Sequence, residues 1–487
     1  MASYFEDNSG LRGANADFVA IAESESDVKD FIVKAVKEKM PVTVCGALTA
    51  NTGAGLAFGG AVLSLEKLNK IDKINKINNE SFSLKNGKYK GETAQIKVGA
   101  GARVGDIKKS VLQAGFFYPP DPTEQTSMIG GNISTNASGA RGFKFGPTRD
   151  YIKSLKIIFT DGSEAKITRG INFADDKGVI VFDTDKGKKQ IVLPKYNLPK
   201  IKNAAGYFNY PNADLIDIFI GSEGTLGIII EAELLLLRNF KNIFGAIVFF
   251  DNDKKLFDFV ESAKKNLNAM SLEYFDKNTL DFVREFYPQI PHWAEGAIMF
   301  EQDVYDGDDE EKLINNWIEN IANAGADDAS AWFAQNTAEM ERFRVFRHKI
   351  PEKANEIVHR NGIPKAGTDF AVPEGKIKEI LDFCRREFDE SKIMNLIFGH
   401  IGENHIHANI FPKNQEEFDK TRKIYEKIVQ KVIDLDGTAS AEHGIGKVRH
   451  IFLEKMVGRN GFYEMSKLKK SLDEAEILGL DNIFPKL

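Results

Sequence analysis

Between Ser127 and Gly146 the chain runs SMIGGNISTNASGARGFKFG, with five glycines and two asparagines in twenty positions. Almost no side chain there is large and apolar enough to build a core, so something sizeable has to come close to the backbone. Glycine admits positive φ and leaves its N–H bare, which lets such a segment wrap a pyrophosphate or a flat ring that a Cβ would push away. An ordinary connector is the alternative reading, but connectors this long and this rich in small residues are seldom idle. The stretch reads as a loop that cradles a ligand, and the remaining chain has to hold it.

Two further segments share its texture. GALTANTGAGLAFGG (46–60) follows the short strand VTVCG, and GSEGTLGIII (221–230) opens an apolar run. The first lacks the Lys-Ser/Thr of a P-loop, so an NTPase is set aside. GGNISTNASG (130–139), with PPDPT (119–123) before it and GSEGTLGIII after it, closely resembles the flavin-binding half of the FAD-linked oxidases of the vanillyl-alcohol oxidase superfamily. GHIGENHIHANI (399–410) and GTASAEHGIGKVR (437–449) are similar to one branch of it, which holds D-lactate dehydrogenase, D-2-hydroxyglutarate dehydrogenase and the related polypeptide of glycolate oxidase. The likeness covers nearly the whole chain.

The resemblance implies an α+β protein: a two-subdomain FAD-binding domain of the vanillyl-alcohol oxidase type plus an antiparallel-sheet cap with helices on one face. The expected boundaries are 1–238 for the FAD-binding domain and 239–435 for the cap. Residues 436–487 are then a segment that returns to the FAD domain and carries part of the active site. FAD is expected against Gly46, Thr52, Gly53, Gly55, Gly59 and Gly60 of the first loop. Pro120, Asp121, Ser127, Gly130, Gly131, Asn132, Thr135, Asn136 and Gly139 form the central contact, and Glu223, Gly224, Gly227 and Ile228 the third. None of the eight histidines precedes His292, so the histidine-linked flavin of some relatives has no attachment residue in these loops. FAD is therefore expected to be dissociable, with Cys45 the one exception to consider.

Composition narrows the classes. A chain of 487 residues with 42% hydrophobic content can bury a large core, and a net charge of −6 without a basic stripe removes nucleic acid as a partner. MASYFEDNSG has no apolar h-region, so no secretory signal is expected, and the apolar segments near 214–237 and 244–250 are too interrupted or too short to span a bilayer. Cys45 and Cys384 exclude a disulfide framework and fall short of the four thiolates an iron–sulfur cluster usually takes. Electrons from a flavin would have to pass to a quinone, an electron-transferring flavoprotein, a partner iron–sulfur subunit or oxygen. The expected location is cytoplasmic, with peripheral attachment to the inner face of a membrane as an alternative.

Along the chain, apolar residues at helical spacing after Ser26 predict a helix that stops before Pro41, and 103–115 predicts a second closed by Gly115. Strands are expected at 42–46, 61–65, 95–101 and on both sides of Asp161-Gly162. The polar insertion 78–91 carries an Asn86-Gly87 turn signal. Past residue 239 the pattern alternates strand and helix without glycine loops, with helices expected near 254–267, 310–323 and 339–360, and a closing helix in the tail 465–485.

MNLIFGHIGENHIHANIF (394–411) reads as strand, turn, strand, which puts His405, His407 and Asn409 on one face and His400 at the entrance of the turn. A lone histidine is usually structural, but this crowding and Glu442-His443 favour a metal or catalytic site. The related branch has the pattern H-x-G-D-G-N-x-H-x-N, whose outer histidines and later glutamate bind zinc or a similar divalent ion. Carried over by position, the ligands are His400, His407 and Glu442. Glu403, Asn404 and His405 stand where Asp, Gly and Asn are usual, which leaves His405 open as a further ligand. The resemblance also implies His443 as the base, Arg347 and Lys365 as the clamp on a substrate carboxylate, and Asn409 within the catalytic set. The implied activity is oxidation of a small D-2-hydroxy acid, D-lactate first and glycolate or D-2-hydroxyglutarate next. An ether-lipid synthase-like flavin transferase, or a flavin-free hydrolytic metal site, are the readings of another class.

Overall fold

The computed structural model describes residues 4–77, 82–84, 87–89 and 91–485. Asn86, the first residue of the expected turn, lies outside the described residues, although its flanks Phe82–Leu84 and Gly87–Tyr89 pair antiparallel.

Local rules account for the first unit. The Ser24 hydroxyl accepts from the Asp27 N–H while the Asp27 carboxylate accepts from the Ser24 N–H, a reciprocal cap that starts the helix Glu25–Glu38. Val28, Ile32 and Ala35 on its buried face pack against a small parallel sheet in which Ala61–Ser64 lies between Phe18–Ile21 and Val42–Cys45. A second, antiparallel sheet is built around the eleven-residue strand Ile228–Arg238. Ile152–Ile158 pairs on one side of it and Thr93–Gly99 on the other. Glu164–Thr168 follows Ile152–Ile158 through the hairpin at Asp161-Gly162, as the sequence predicts.

The stretch 127–146 differs from its reading as a loop. It contains the helix Ile129–Thr135 and a turn of helix at Gly142–Phe145. Ile129 and Ile133, one helical turn apart, are both fully buried in the core shared with the central sheet. Tertiary packing thereby overrides the weak helix propensity of Gly, Ser, Thr and Asn. Asn136 in the left-handed region ends the helix.

The later half forms an eight-stranded sheet in which Asn242–Phe250, Gly296–Val304, Ser271–Asp276, Asn395–Gly399 and His405–Ile410 are successive antiparallel neighbours. The expectation of helices on one face holds for Asp253–Asn266, Glu310–Asn323, Ile377–Ser391 and Gln415–Asp434, whose apolar stripes meet one core. The long helix Thr337–Asn361 takes the opposite face, with Phe343, Phe346 and Ile350 against Phe249 and Phe275. Cover on both sides explains why NIFGAIVFF is continuously apolar instead of alternating.

The helical part of the tail lies earlier than expected. It spans His450–Leu472 as two helices broken at Gly458, and the remainder runs irregularly back to the first unit, where Val42 N–H donates to Ile477 O and Gly479 N–H to Val42 O.

Candidate active site

A cleft opens where the glycine segments of the first half meet the irregular segment at Glu442 and His443. Gly46, Gly55, Ser127, Gly130, Gly131, Asn132, Thr135, Gly139, Glu223, Gly224 and Gly227 line it, together with Glu442 and His443. The glycines serve different ends. At Gly139, φ is +104° and a Cβ would stand 1.9 Å from Asp121 O, so the crossing of the proline-rich rail requires glycine there. At Gly131 nothing lies within 4 Å of where a Cβ would be, so protein packing does not explain its bareness.

The other expected cofactor residues sit behind this wall. Thr52 is buried and its carbonyl accepts from Lys447 N–H; Gly53 N–H donates to the Asp7 carboxylate. Gly59 N–H bonds Asn15 O, and Gly60 lies against Pro41 O. Pro120 is buried, Asp121 pairs with Lys108, and Ile228 is a core residue at the start of its strand. Asn136 accepts from Arg149 N–H and faces a neighbouring cavity of about 640 Å³.

The histidine hairpin forms as its spacing predicts. Ile406, Ala408 and Ile410 point into the core of the eight-stranded sheet. His405, His407 and Asn409 take the other face, and His400 enters the turn Ile401–Glu403. Across from them the chain at 440–445 has no regular structure, and Gly444 and Gly446 at positive φ let neighbouring Glu442 and His443 face the same space. Ligand atoms of His400, His405, His407 and Glu442 all lie within 4.8 Å of one another, and so do those of Asp369, His407 and His443. His400 Nε2 is 3.3 Å and His407 Nε2 3.5 Å from Glu442 Oε1; His443 Nε2 is 3.7 Å from it. The rings of His407 and His443 stack at 5.4 Å.

Each imidazole of the hairpin is anchored from behind by a group that can only accept. His400 Nδ1–H donates to Glu273 over 2.6 Å, His405 Nε2–H to Asp369 over 2.9 Å, and His407 Nδ1–H to Thr368 O over 3.3 Å. In the neutral rings of His405 and His407 the opposite nitrogen thus turns its lone pair toward the shared space, the arrangement that orients metal-binding histidines, whereas His400 Nε2, 3.3 Å from Glu442 Oε1, would have to give up a proton to do so.

Four residues central to this geometry were not among those named from the sequence. Glu273 bridges His400 and Arg347, whose Nε is 2.8 Å from its second oxygen. The one signal for it is a carboxylate inside the fully buried strand SLEYFD. Asp369 accepts from Ser440 Oγ, His443 N–H and Arg449 as well as His405. Lys202 lies between Glu403 at 2.7 Å and Glu442 at 3.0 Å, and Ser138 Oγ donates to Glu442 Oε2 over 2.9 Å. That side of Glu442 is thus taken, and its Oε1 faces the histidines.

The ionisation pattern follows. Burial would raise the Glu442 carboxyl, but Lys202 and His400 hold it well below the usual range. Burial likewise works against Glu273, yet Arg347 and His400 bring it to about 2. Burial would depress His400, but Glu273 and Glu442 raise it to about 9. Burial dominates at His405 and His443, pushing them down to about 3 and about 4, and at Lys365, down to about 8. Arg347 reaches the cluster through Glu273, Asn409 has a buried Nδ2 with no hydrogen-bond partner among the described residues, and Lys365 lies beside the Phe411 ring.

Comparison with known proteins bears on this geometry. Residues 16–168 match the FAD binding domain family and residues 241–480 the family of FAD linked oxidases, C-terminal domain. A D-lactate dehydrogenase of Anaerostipes hadrus is 26% identical, with 97% of this chain and 90% of that protein covered. The glycolate oxidase protein GlcD of Bacillus subtilis is 29% identical over 78% of this chain and 73% of its own length. A D-2-hydroxyglutarate dehydrogenase of Stutzerimonas stutzeri is 24% identical, covering 79% and 76%. Among solved structures, an alkyldihydroxyacetonephosphate synthase superposes with a TM-score of 0.60 at 13% identity, covering 96% of this chain and 77% of that one. That likeness is one of fold, the vanillyl-alcohol oxidase type.

Proposed function

Because this chain belongs to the family of FAD-linked oxidases, we propose that it oxidises a small D-2-hydroxy acid, D-lactate first among them, to the 2-oxo acid. Glycolate and D-2-hydroxyglutarate are the next candidates, in keeping with the names of its relatives. The observation that carries the reading is that Glu442 and His443 line the glycine-walled cleft and also belong to the histidine cluster. Redox chemistry at one end of a dinucleotide site would thereby meet a carboxylate-and-imidazole site. On this reading residues 1–238 hold the cofactor, 239–435 cover it, and 436–487 complete the active site.

The residues present fit both groups. Open space at Gly131 and the buried Asn132 Nδ2, which has no partner among the described residues, suit a ligand against the backbone. His405 Nδ1 is likewise buried without a hydrogen-bond partner, which suits an ion in the cluster. FAD would lie along the cleft, and His400, His407 and Glu442 would hold a divalent ion, for which zinc is the simplest choice. When bound, FAD supplies a hydride acceptor at N5 and the ion a Lewis acid at the substrate hydroxyl.

The chain supplies the rest. His443, which burial keeps in the neutral, proton-accepting form, takes the hydroxyl proton. Arg347, set in place by Glu273, and Lys365 hold the substrate carboxylate, and Asn409 orients it through Nδ2. Two cysteines are too few for a cluster, so electrons pass to an external quinone, electron-transferring flavoprotein or iron–sulfur subunit. No helix among the described residues is long and apolar enough to cross a membrane. The proposed location is cytoplasmic or peripheral at the inner membrane face.

Anaerobic mixing of the yellow holoprotein with D-lactate, L-lactate, glycolate and D-2-hydroxyglutarate tests the reading. D-lactate should bleach the flavin fastest and L-lactate slowest. No bleaching by any of the four would overturn it. A second expectation concerns the wall: Gly131→Ala should unfold at the wild-type temperature when both are stripped of FAD but purify with much less of it, whereas Gly139→Ala should lose both FAD and apoprotein stability because its methyl meets backbone. Full FAD content in Gly131→Ala would place the cofactor elsewhere.

A further inference from the structure

The pattern that this hairpin resembles has Asn at the position of His405, and the geometry assigns the histidine a role of its own. We infer that His405 is a fourth protein donor, so that a divalent ion is held here by three imidazoles and one carboxylate. The inference rests on the reading of a metal at this cluster, not on the identity of the acid oxidised.

Three observations carry it. His405 is fully buried and Asp369, an acceptor, engages its Nε2–H over 2.9 Å, so the lone pair is on Nδ1. That Nδ1 has no hydrogen-bond partner among the described residues, although it belongs to the group whose ligand atoms lie within 4.8 Å of one another. Glu442 Oε2 stands 3.9 Å from it, and its ring centre is 4.6 Å from that of His407 and 5.0 Å from that of His400. An unpaired ring nitrogen at such depth is costly unless something accepts its lone pair. A cation shared with His400, His407 and Glu442 would do so.

The fourth donor changes which ion serves. Catalytic zinc sites typically take three protein ligands and leave one position open, and four donors would close a tetrahedral sphere. A 2-hydroxy acid chelating through its hydroxyl and one carboxylate oxygen adds two donors, making six. Divalent ions that accept octahedral coordination, such as Mn2+, fit that count better than zinc.

Metal-stripped, FAD-loaded protein titrated with Mn2+, followed by its electron paramagnetic resonance signal, and with Zn2+ against a chromophoric chelator, tests the inference. His405→Asn, which removes the imidazole but keeps a polar side chain, should weaken binding of one or both ions by about 10-fold or more, the scale at which even outer groups alter metal affinity. X-ray absorption of the metal-loaded wild type should show three imidazoles, falling to two in His405→Asn at unchanged FAD content. Equal affinities in the two proteins, two imidazoles in both, or no binding of either ion by the wild type would overturn it. A protein that binds through three imidazoles yet is not reduced by any 2-hydroxy acid would leave this inference standing and remove the proposed substrate instead.

Discussion

Replacement of His443 by alanine should slow anaerobic reduction of the flavin by about 10²–10⁴-fold, the usual contribution of a positioned general base, while FAD stays bound. The separation of the two readouts follows from geometry. His443 lines the cleft within 3.7 Å of Glu442 Oε1 and 3.3 Å of Asp369, and the 440–445 segment is held by backbone and Ser440 contacts to Asp369 and Glu223, including the His443 backbone N–H. The side chain can therefore be removed without disturbing the glycine wall. Stopped-flow traces at 450 nm under saturating D-lactate give the rate, and absorbance of the purified variant gives its FAD content. Reduction of His443→Ala at the wild-type rate would show that another group takes the proton.

The second large effect is expected from Lys202, whose side chain is 6% exposed between Glu403, 2% exposed, and Glu442, 11% exposed. The three form a buried network in which one ammonium offsets two carboxylates. Lys202→Met keeps the stem but removes the charge, leaving both acids facing each other in a low-dielectric setting. Removing one partner of a buried ion pair costs about 3–5 kcal/mol. Denaturant unfolding should show a loss of that order, and Lys202→Met combined with Glu403→Gln should recover part of it by deleting the surplus charge. A single variant as stable as the wild type would mean that Glu442 does not depend on Lys202 for its ionisation.

The parts of the site that sequence makes legible are those whose spacing is itself geometric. His405, His407 and Asn409 fall on one face because side chains in a strand alternate, and the apolar residues between them pack inward whatever the rest of the chain does. Glu442 and His443 were legible for a related reason, since glycines directly after them signal an irregular turn. The groups behind the histidines were not. Glu273, Asp369 and Lys202 arrive from three segments far apart in sequence: the first two meet His400 and His405 only once the later sheet has formed, and Lys202 meets Glu403 and Glu442 only once the first unit has docked on it. A lone charged residue in an apolar strand marks an unusual position but not its partner. The segment 127–146 failed in the opposite sense. Its composition predicts a loop, yet Ile129 and Ile133 already carried the helical spacing that burial on the central sheet turns into a helix.

The return of the chain near its end has a consequence for biosynthesis. Asn482 donates to Ala54 O and Glu223 O, Lys447 reaches Leu480 O, and Ile483 N–H bonds Gly446 O, so residues 480–483, made long after both loops, close the seam between the first loop and the third. While the ribosome is still adding them, the earlier loops lack their final supports. Loading of the nucleotide should accordingly wait until residues 480–483 have been made, and nascent fragments stalled before residue 476 should emerge colourless.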